Sequence, residues 1–461
     1  MATTAPQYDF TVTLEDLAFI LKQIQISEQT TNPDGSVNGD LLRDMVNPLA
    51  PFGLRTVDGS WNNLLPGMEY LGAADNIMPR LTDPTYLALY ANTTPGNVVF
   101  DTQPRVISNL IVDQTATNPY VDDAAQDRAD EATFPGMDQV QVSPDGTLFT
   151  PNQSPDIGLS PPLSGTATLF GQFFDHGLDL ITKGGGTVFV PLQPDDPLYV
   201  AGSNTNFMVL TRAVTGDVGA DGIAGTADDG HINTTTPFVD QNQTYTSHPS
   251  HQVFLREYTL DAAGQPVATG NLLDGQYGAA NWSEVKAQAA EMLGVQLTDT
   301  DVFNVPLLAT DRYGEFLRGE NGYVQFVTET GLVEADPTAN GGLGMLVPEN
   351  AIRTNHAFLD DIAHDAAPAI FDADGNPMTT FDQQQMVADN DDVIGDDGNP
   401  LTYDDDLLAR HFITGDGRGN ENIGLTAIHT IFHTEHNRLV EQYKTTLIAD
   451  AIAKQDVTFL N

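Results

Sequence analysis

"GQFFDHGLDL", residues 171–180, is the stretch on which the reading of this chain turns. An aspartate and a histidine stand side by side there, inside an aromatic and apolar run. On a helix, residues three, four and seven positions apart share a face. Gln172, Asp175, His176 and Asp179 keep that spacing, and Phe170, Phe173, Phe174 and Leu178 cover much of the rest. A helix apolar over most of its surface is buried, and polar groups on a buried helix need partners. A lone histidine in such a place is more often a satisfied core residue. A glutamine, two carboxylates and an imidazole together favour a functional pocket, without yet saying which kind.

A second constellation lies at "GDGRGNENIGLTAIHTIFHTEHNRLV", residues 415–440. Gly415, Gly417 and Gly419 make a flexible turn before a helix, with Arg418 and Glu421 three apart at its start. His429, His433 and His436 follow at i, i+4 and i+7, one stripe of that helix. Three imidazoles on a face suggest zinc or iron. The metalloprotease pattern H-E-x-x-H is missing from "HTIFH", and no sequence feature points to a carboxylate ligand. Packing and hydrogen-bonding histidines are the favoured reading.

The composition narrows the classes. The 461 residues carry 64 acidic and 18 basic side chains, a net charge of −46. Nucleic acid and anionic membrane both demand clustered Lys and Arg, so neither is expected as a partner. Bound cations suit such a chain, and so does a solvated acidic coat. With no cysteine, disulfides, thiolate catalysis and Cys-ligated metal sites are excluded. No apolar run is long enough for a transmembrane helix. The first thirty residues lack a basic region followed by an apolar one. Export to the cell surface or beyond would then need a route other than a cleaved N-terminal signal.

Along the chain, Leu14, Leu17, Ile20, Leu21 and Ile24 recur at helical spacing behind the start signals Thr13, Glu15 and Asp16. Residues 30–160 are rich in Pro, Gly, Asn and Asp and read as a loop-dominated wrap. Residues 215–235 and 388–406 are acidic, turn-rich connections. The best further helix candidates are 164–182, 282–293 and 419–453. The predicted class is mainly α with long irregular loops. It divides into an N-terminal helix and wrap (1–160) and a motif-bearing part (161–461) of the same domain. Irregular segments this long are usually functional or hold a ligand.

In combination these segments resemble the animal-type haem peroxidases, the peroxidase–cyclooxygenase superfamily. "LFGQFFDHGLDL" is similar to the distal-helix motif, "INTTTPFVDQNQTY" (232–245) to the calcium loop, and "GDGRGNENIGLTAIHTIFHTEHNRL" to the catalytic-arginine block, in the family's order. The first 160 residues are similar to bacterial members that often add calcium-binding repeats, some of them linked to manganese oxidation. The resemblance implies the family's fold, haem b as cofactor, and reduction of hydrogen peroxide with oxidation of a halide, a phenol or Mn(II). It implies the distal acid–base role for His176, since a near-neutral imidazole both takes and returns a proton. Arg418 would supply fixed positive charge as the O–O bond breaks. Gln172 would hydrogen-bond distal water or a small anion. Asp175 and Glu421 match the two carboxylates that can form ester bonds to the haem edge. Thr236, Phe238 (through its carbonyl), Asp240 and Asn242 match calcium ligands, all oxygen donors suited to a hard cation.

The sequence departs from the family in two places. The aspartate expected directly after the distal histidine is Gly177, so one calcium carboxylate is lost, and Asp179 or a water would have to compensate. "GADGIAGTADDG" and "DADGNP" lack the full calcium-hand pattern and read as acidic turns. The family's proximal histidine lies well downstream of the catalytic arginine, whereas no histidine follows His436 here. The expectation is therefore a peroxidase fold incomplete at its C-terminus, with continuation into a repeat region of a parent chain. Haem iron needs such an axial ligand to set its reactivity. Two other readings stand beside the enzyme: a non-catalytic peroxidase-like module of a large acidic exported protein, and a non-haem metalloenzyme built on the histidine stripe.

Overall fold

The computed structural model describes residues 11–47, 53–77, 113–116, 141–142, 148–151, 166–181, 183–192, 199–213, 215–217, 222–223, 230–234, 242–360, 387–389, 393–394, 402–420 and 422–460, with positions 194 and 368. Two units emerge: residues 1–78, 168–180 and 234–461 form one, and 79–167 and 181–233 the other.

The first unit holds most of the helices. Helix α1 (Leu14–Thr30) begins as its sequence predicts. Thr13 caps it, with the Thr13 and Asp16 side chains each bonding the other's backbone amide. Its buried Ile26 joins Val37, Leu64 and, from α2 (Gly39–Met45), Leu42 in a small apolar cluster. Helix α3 (Thr166–Asp175) carries the distal motif and is shorter than the 164–182 expected. Helices α4 (Pro249–Leu255) and α5 (Trp282–Gln288) build the main core. Val253, Phe254, Trp282, Val285 and Leu293 are buried there against Phe358. Fully burying side chains of this size contributes about 1.5–3 kcal/mol each. Asn281 and Glu284 cap α5 reciprocally, and a π-turn over Ala289–Leu293 ends at Gly294 in the left-handed region, φ 73°.

Helix α6 (Asp405–Arg410) leads to a 3₁₀ turn at Gly417–Asn420, then to α7 (Ile423–Lys454), 32 residues long. Asn422 caps α7 by accepting the Leu425 amide at 2.8 Å. The antiparallel hairpin Arg256–Leu260 with Pro266–Leu272 belongs to the same unit. Asn437 of α7 binds both main-chain groups of Leu272, at 2.8 and 3.0 Å.

In the second unit the described residues form a three-stranded antiparallel sheet, Asp113–Ala116 and Gln141–Val142 flanking Leu148–Pro151. A longer hairpin pairs Lys183–Pro191 with Phe207–Ala213. The expected helices are present, together with several small sheets that the sequence does not announce, while most of the expected wrap at 30–160 and of the connections at 215–235 and 388–406 lies outside the described residues. No helix among the described residues is long and apolar enough to cross a membrane.

Candidate active site around His176 and Arg418

Phe173 anchors the distal segment. It is fully buried, stacks on Phe432 of α7 with ring centroids 4.9 Å apart, and meets the edge of His429 at 4.8 Å. Leu425 and Ile428 close the same cluster. The Phe173 carbonyl also accepts the side-chain amide of buried Gln243 at 2.6 Å. This face of the helix is therefore held from two sides. Gln172, one residue earlier, accepts the Asn422 side-chain amide at 2.8 Å, tying α3 to the cap of α7.

Helix α3 stops at Asp175, and His176 lies in the turn that follows. The turn keeps some helical bonding, with His176 N to the Gln172 carbonyl at 3.2 Å and Asp179 N to that of Asp175 at 3.1 Å. The expected common face of Gln172, Asp175, His176 and Asp179 thus runs past the helix end, a correction with a visible cause. The carbonyls of His176 and Asp179 turn to the Arg418 guanidinium, accepting Nη2 at 3.0 Å and Nη1 at 2.9 Å. His176 is 5% exposed, whereas Asp175 faces solvent.

Arg418 is held on its other side by Asp416, through Nε at 2.9 Å and Nη2 at 2.8 Å. Asp416 also accepts the Arg418 amide, at 2.9 Å. Burial alone would raise the Asp416 pKa, but the Arg418 charge and these hydrogen bonds hold it well below the ordinary carboxylate range. Asp179 shifts upward, because its partial burial outweighs the attraction of Arg418 3.9 Å away. Asp416 was missed in the sequence, where "GDGR" read only as a flexible turn. Its signal was an acid two residues before the arginine. The glycines there are required by close approach: a Cβ on Gly415 would overlap the Thr246 amide, and one on Gly419 the Thr414 side chain.

The histidine stripe is held by protein partners. His433 Nε2 donates to Asp274 at 2.8 Å, and His436 Nε2 donates to the Gly270 carbonyl at 3.0 Å. His429 is 1% exposed, and neither ring nitrogen has a hydrogen-bond partner. Burial pushes its pKa down to about 4; Asp416 opposes the shift, and His176 and Arg418 reinforce it. His433 and His436 thus hydrogen-bond within the protein, and His429 packs against Phe173. Among the described residues no group of three or more His, Asp or Glu could hold a metal ion.

Glu421, Thr236, Phe238 and Asp240 lie outside the described residues. Asn242, the fourth expected calcium ligand, opens a 3₁₀ turn and donates its side-chain amide to the carbonyls of Thr246 at 2.9 Å and Val57 at 3.2 Å. Gly177 is buried.

Residues 378–447 match the family model described as animal haem peroxidase. That segment contains Asp416, Arg418 and the histidine stripe, and it supports the peroxidase–cyclooxygenase resemblance drawn from the motifs. The match covers this segment alone, far less than half of the chain. The match does not reach His176 or the 232–245 loop. No curated protein matches the chain.

The family implies haem in general terms. One structural feature suits it: beside the Gln172–Asn422 bond, Phe170, Gly171, Asp175 and Ile423 are exposed together. Exposed large apolar side chains rimmed by polar groups mark a surface that receives a partner. Phe170 and Ile423 offer apolar surface there and Asp175 a carboxylate, the kinds of group that the face and edge of a haem would need.

Proposed function

We propose that this module is the distal half of a peroxide-reducing haem site, acting with a small reducing substrate such as a halide, a phenol or Mn(II). The observation that carries the reading is the Arg418 Nη2 bond to the His176 carbonyl, at 3.0 Å. It joins two motifs 242 positions apart, as a distal histidine and a catalytic arginine need to be joined. Haem, when bound, supplies the redox chemistry. Gln172 and Asp175 would hold the polar side of the site, with Asp175 and Glu421 as candidate ester links. His176 would take a proton from peroxide and return it to the departing oxygen. Arg418 would hold the turn that carries His176 and place positive charge behind it.

A calcium ion on Thr236, Phe238, Asp240 and Asn242, an exported parent chain with further repeats, and residues 1–160 as a wrap belong to the same proposal. So does a proximal iron ligand, since haem iron needs an axial ligand to set its reactivity. One observation favours the second reading, a peroxidase-like module without turnover. Buried Asp416 already matches the Arg418 charge, which weakens the field available to a peroxide oxygen. Haem titration of the chain with imidazole added as an axial ligand separates the two. Saturable haem binding with a spectrum that responds to His176→Ala supports the enzyme, and no binding supports the module.

A further inference from the structure

A cavity of about 10 Å³ lies between α7, the 413–414 segment, Thr244, Leu255, Leu272 and Ala279, with His429, His433, Thr244 and Thr414 as its polar lining. Three buried polar atoms in this lining have no hydrogen-bond partner: Nδ1 and Nε2 of His429 and Oγ1 of Thr244. Buried polar groups are almost always satisfied, and a cavity of roughly 10–15 Å³ with two to four polar neighbours holds one water. His429 and His433 are one helical turn apart and both face this space. The 2.8 Å His433 Nε2–Asp274 bond serves either tautomer, and with its proton on Nδ1 the ring accepts one at Nε2 from a protonated Asp274. Asp274 in turn is 59% exposed to solvent.

We propose that the cavity holds one ordered water, and that Asp274, His433, this water and His429 form a proton path from the surface to the buried side of the Arg418 site. A proton arriving from solvent on Asp274 passes to Nε2 of a His433 whose own proton sits on Nδ1, which makes the ring an imidazolium. His433 then gives its Nδ1 proton to the water while the water gives one to the basic nitrogen of His429. His433 is neutral again, the water is unchanged, and the charge has moved one ring inward. There it stands within electrostatic reach of Asp416, His176 and Arg418. Its use in peroxide chemistry rests on the proposed function, but the path itself does not, and it is tested without haem.

The test uses the whole chain with ¹⁵N-labelled histidine. Wild type should show magnetisation transfer from a bound water to the His429 ring, and solvent exchange of the His429 ring N–H. His433→Phe should slow that exchange about tenfold, equivalent to about 1.4 kcal/mol in the barrier, while the Leu425 amide exchanges as before. Asp274→Asn, which keeps an acceptor for Nε2 but cannot carry the proton, should slow it similarly and serves if His433→Phe does not fold. A dry cavity, or His429 exchange that neither substitution changes, overturns the path. Loss of haem binding with the exchange result intact would overturn only the peroxidase reading.

Discussion

Asp416 and Arg418, two residues apart, close a forked ion pair inside the protein, Nε to Oδ1 at 2.9 Å and Nη2 to Oδ2 at 2.8 Å. The Asp416 side chain is 4% exposed and that of Arg418 13%. Further guanidinium bonds reach the carbonyls of His176 and Asp179. One arginine therefore fixes its own loop and the turn that carries the distal histidine.

Removing one side of a buried pair leaves an uncompensated charge. Asp416→Asn should lower unfolding stability by about 3–5 kcal/mol, read from urea denaturation. Arg418→Lys should cost nearly as much, because an ammonium cannot reproduce the fork. A loss under about 1 kcal/mol, the range of exposed pairs, would show that the pair does not organise the turn.

Phe173→Ala removes a fully buried ring from between His429 and Phe432. The expected cost is about 3–5 kcal/mol by the same measurement. A near-neutral result would mean that α3 is not anchored by this ring.

Two glycines give opposite predictions. Gly171 lies within α3, where an added Cβ meets nothing within 4 Å, so Gly171→Ala should stabilise by about 0.5–1 kcal/mol. Gly415→Ala must displace the 245–246 backbone and should destabilise, with a lowered Tm.

Stability should fall on acidification. Burial lowers His429 and His248 from 6.5 to about 4, and His251 to about 3. Between those values and 6.5 the unfolded chain binds more protons than the folded one. The stability these groups provide is thus complete above pH 6.5 and lost as pH falls toward 4 and 3. Each contributes a slope of at most about 1.4 kcal/mol per pH unit. His429→Phe should flatten the profile from pH 6.5 to 4, checked by chemical denaturation across that range.

Parts of this arrangement were legible in the sequence. Thr13, Glu15 and Asp16, with the helical spacing from Leu14 to Ile24, announce α1, and the helix candidates 282–293 and 419–453 contain most of α5 and α7. In the histidine stripe, His433 and His436 hydrogen-bond to Asp274 and Gly270, and His429 packs against Phe173. The end of α3 was not legible. Gly177 hinted at it, but Arg418, 242 positions away, takes the carbonyls that a continuing helix would need. Asp416 looked like a turn residue because its burial depends on packing no local pattern encodes. The short hairpins escaped for a similar reason: in "KGGGTVFVP" the glycines hide a strand that its partner at 207–213 makes.

The central claim is that His176 and Arg418 form the distal side of a haem site, and haem titration with imidazole present tests it most directly. The account predicts a saturable, one-to-one complex with a Soret band. It further predicts that His176→Ala perturbs the spectrum and abolishes any peroxide-dependent oxidation of a phenol, while Asp175→Ala weakens binding. Absence of saturable binding, or binding indifferent to both substitutions, would contradict it.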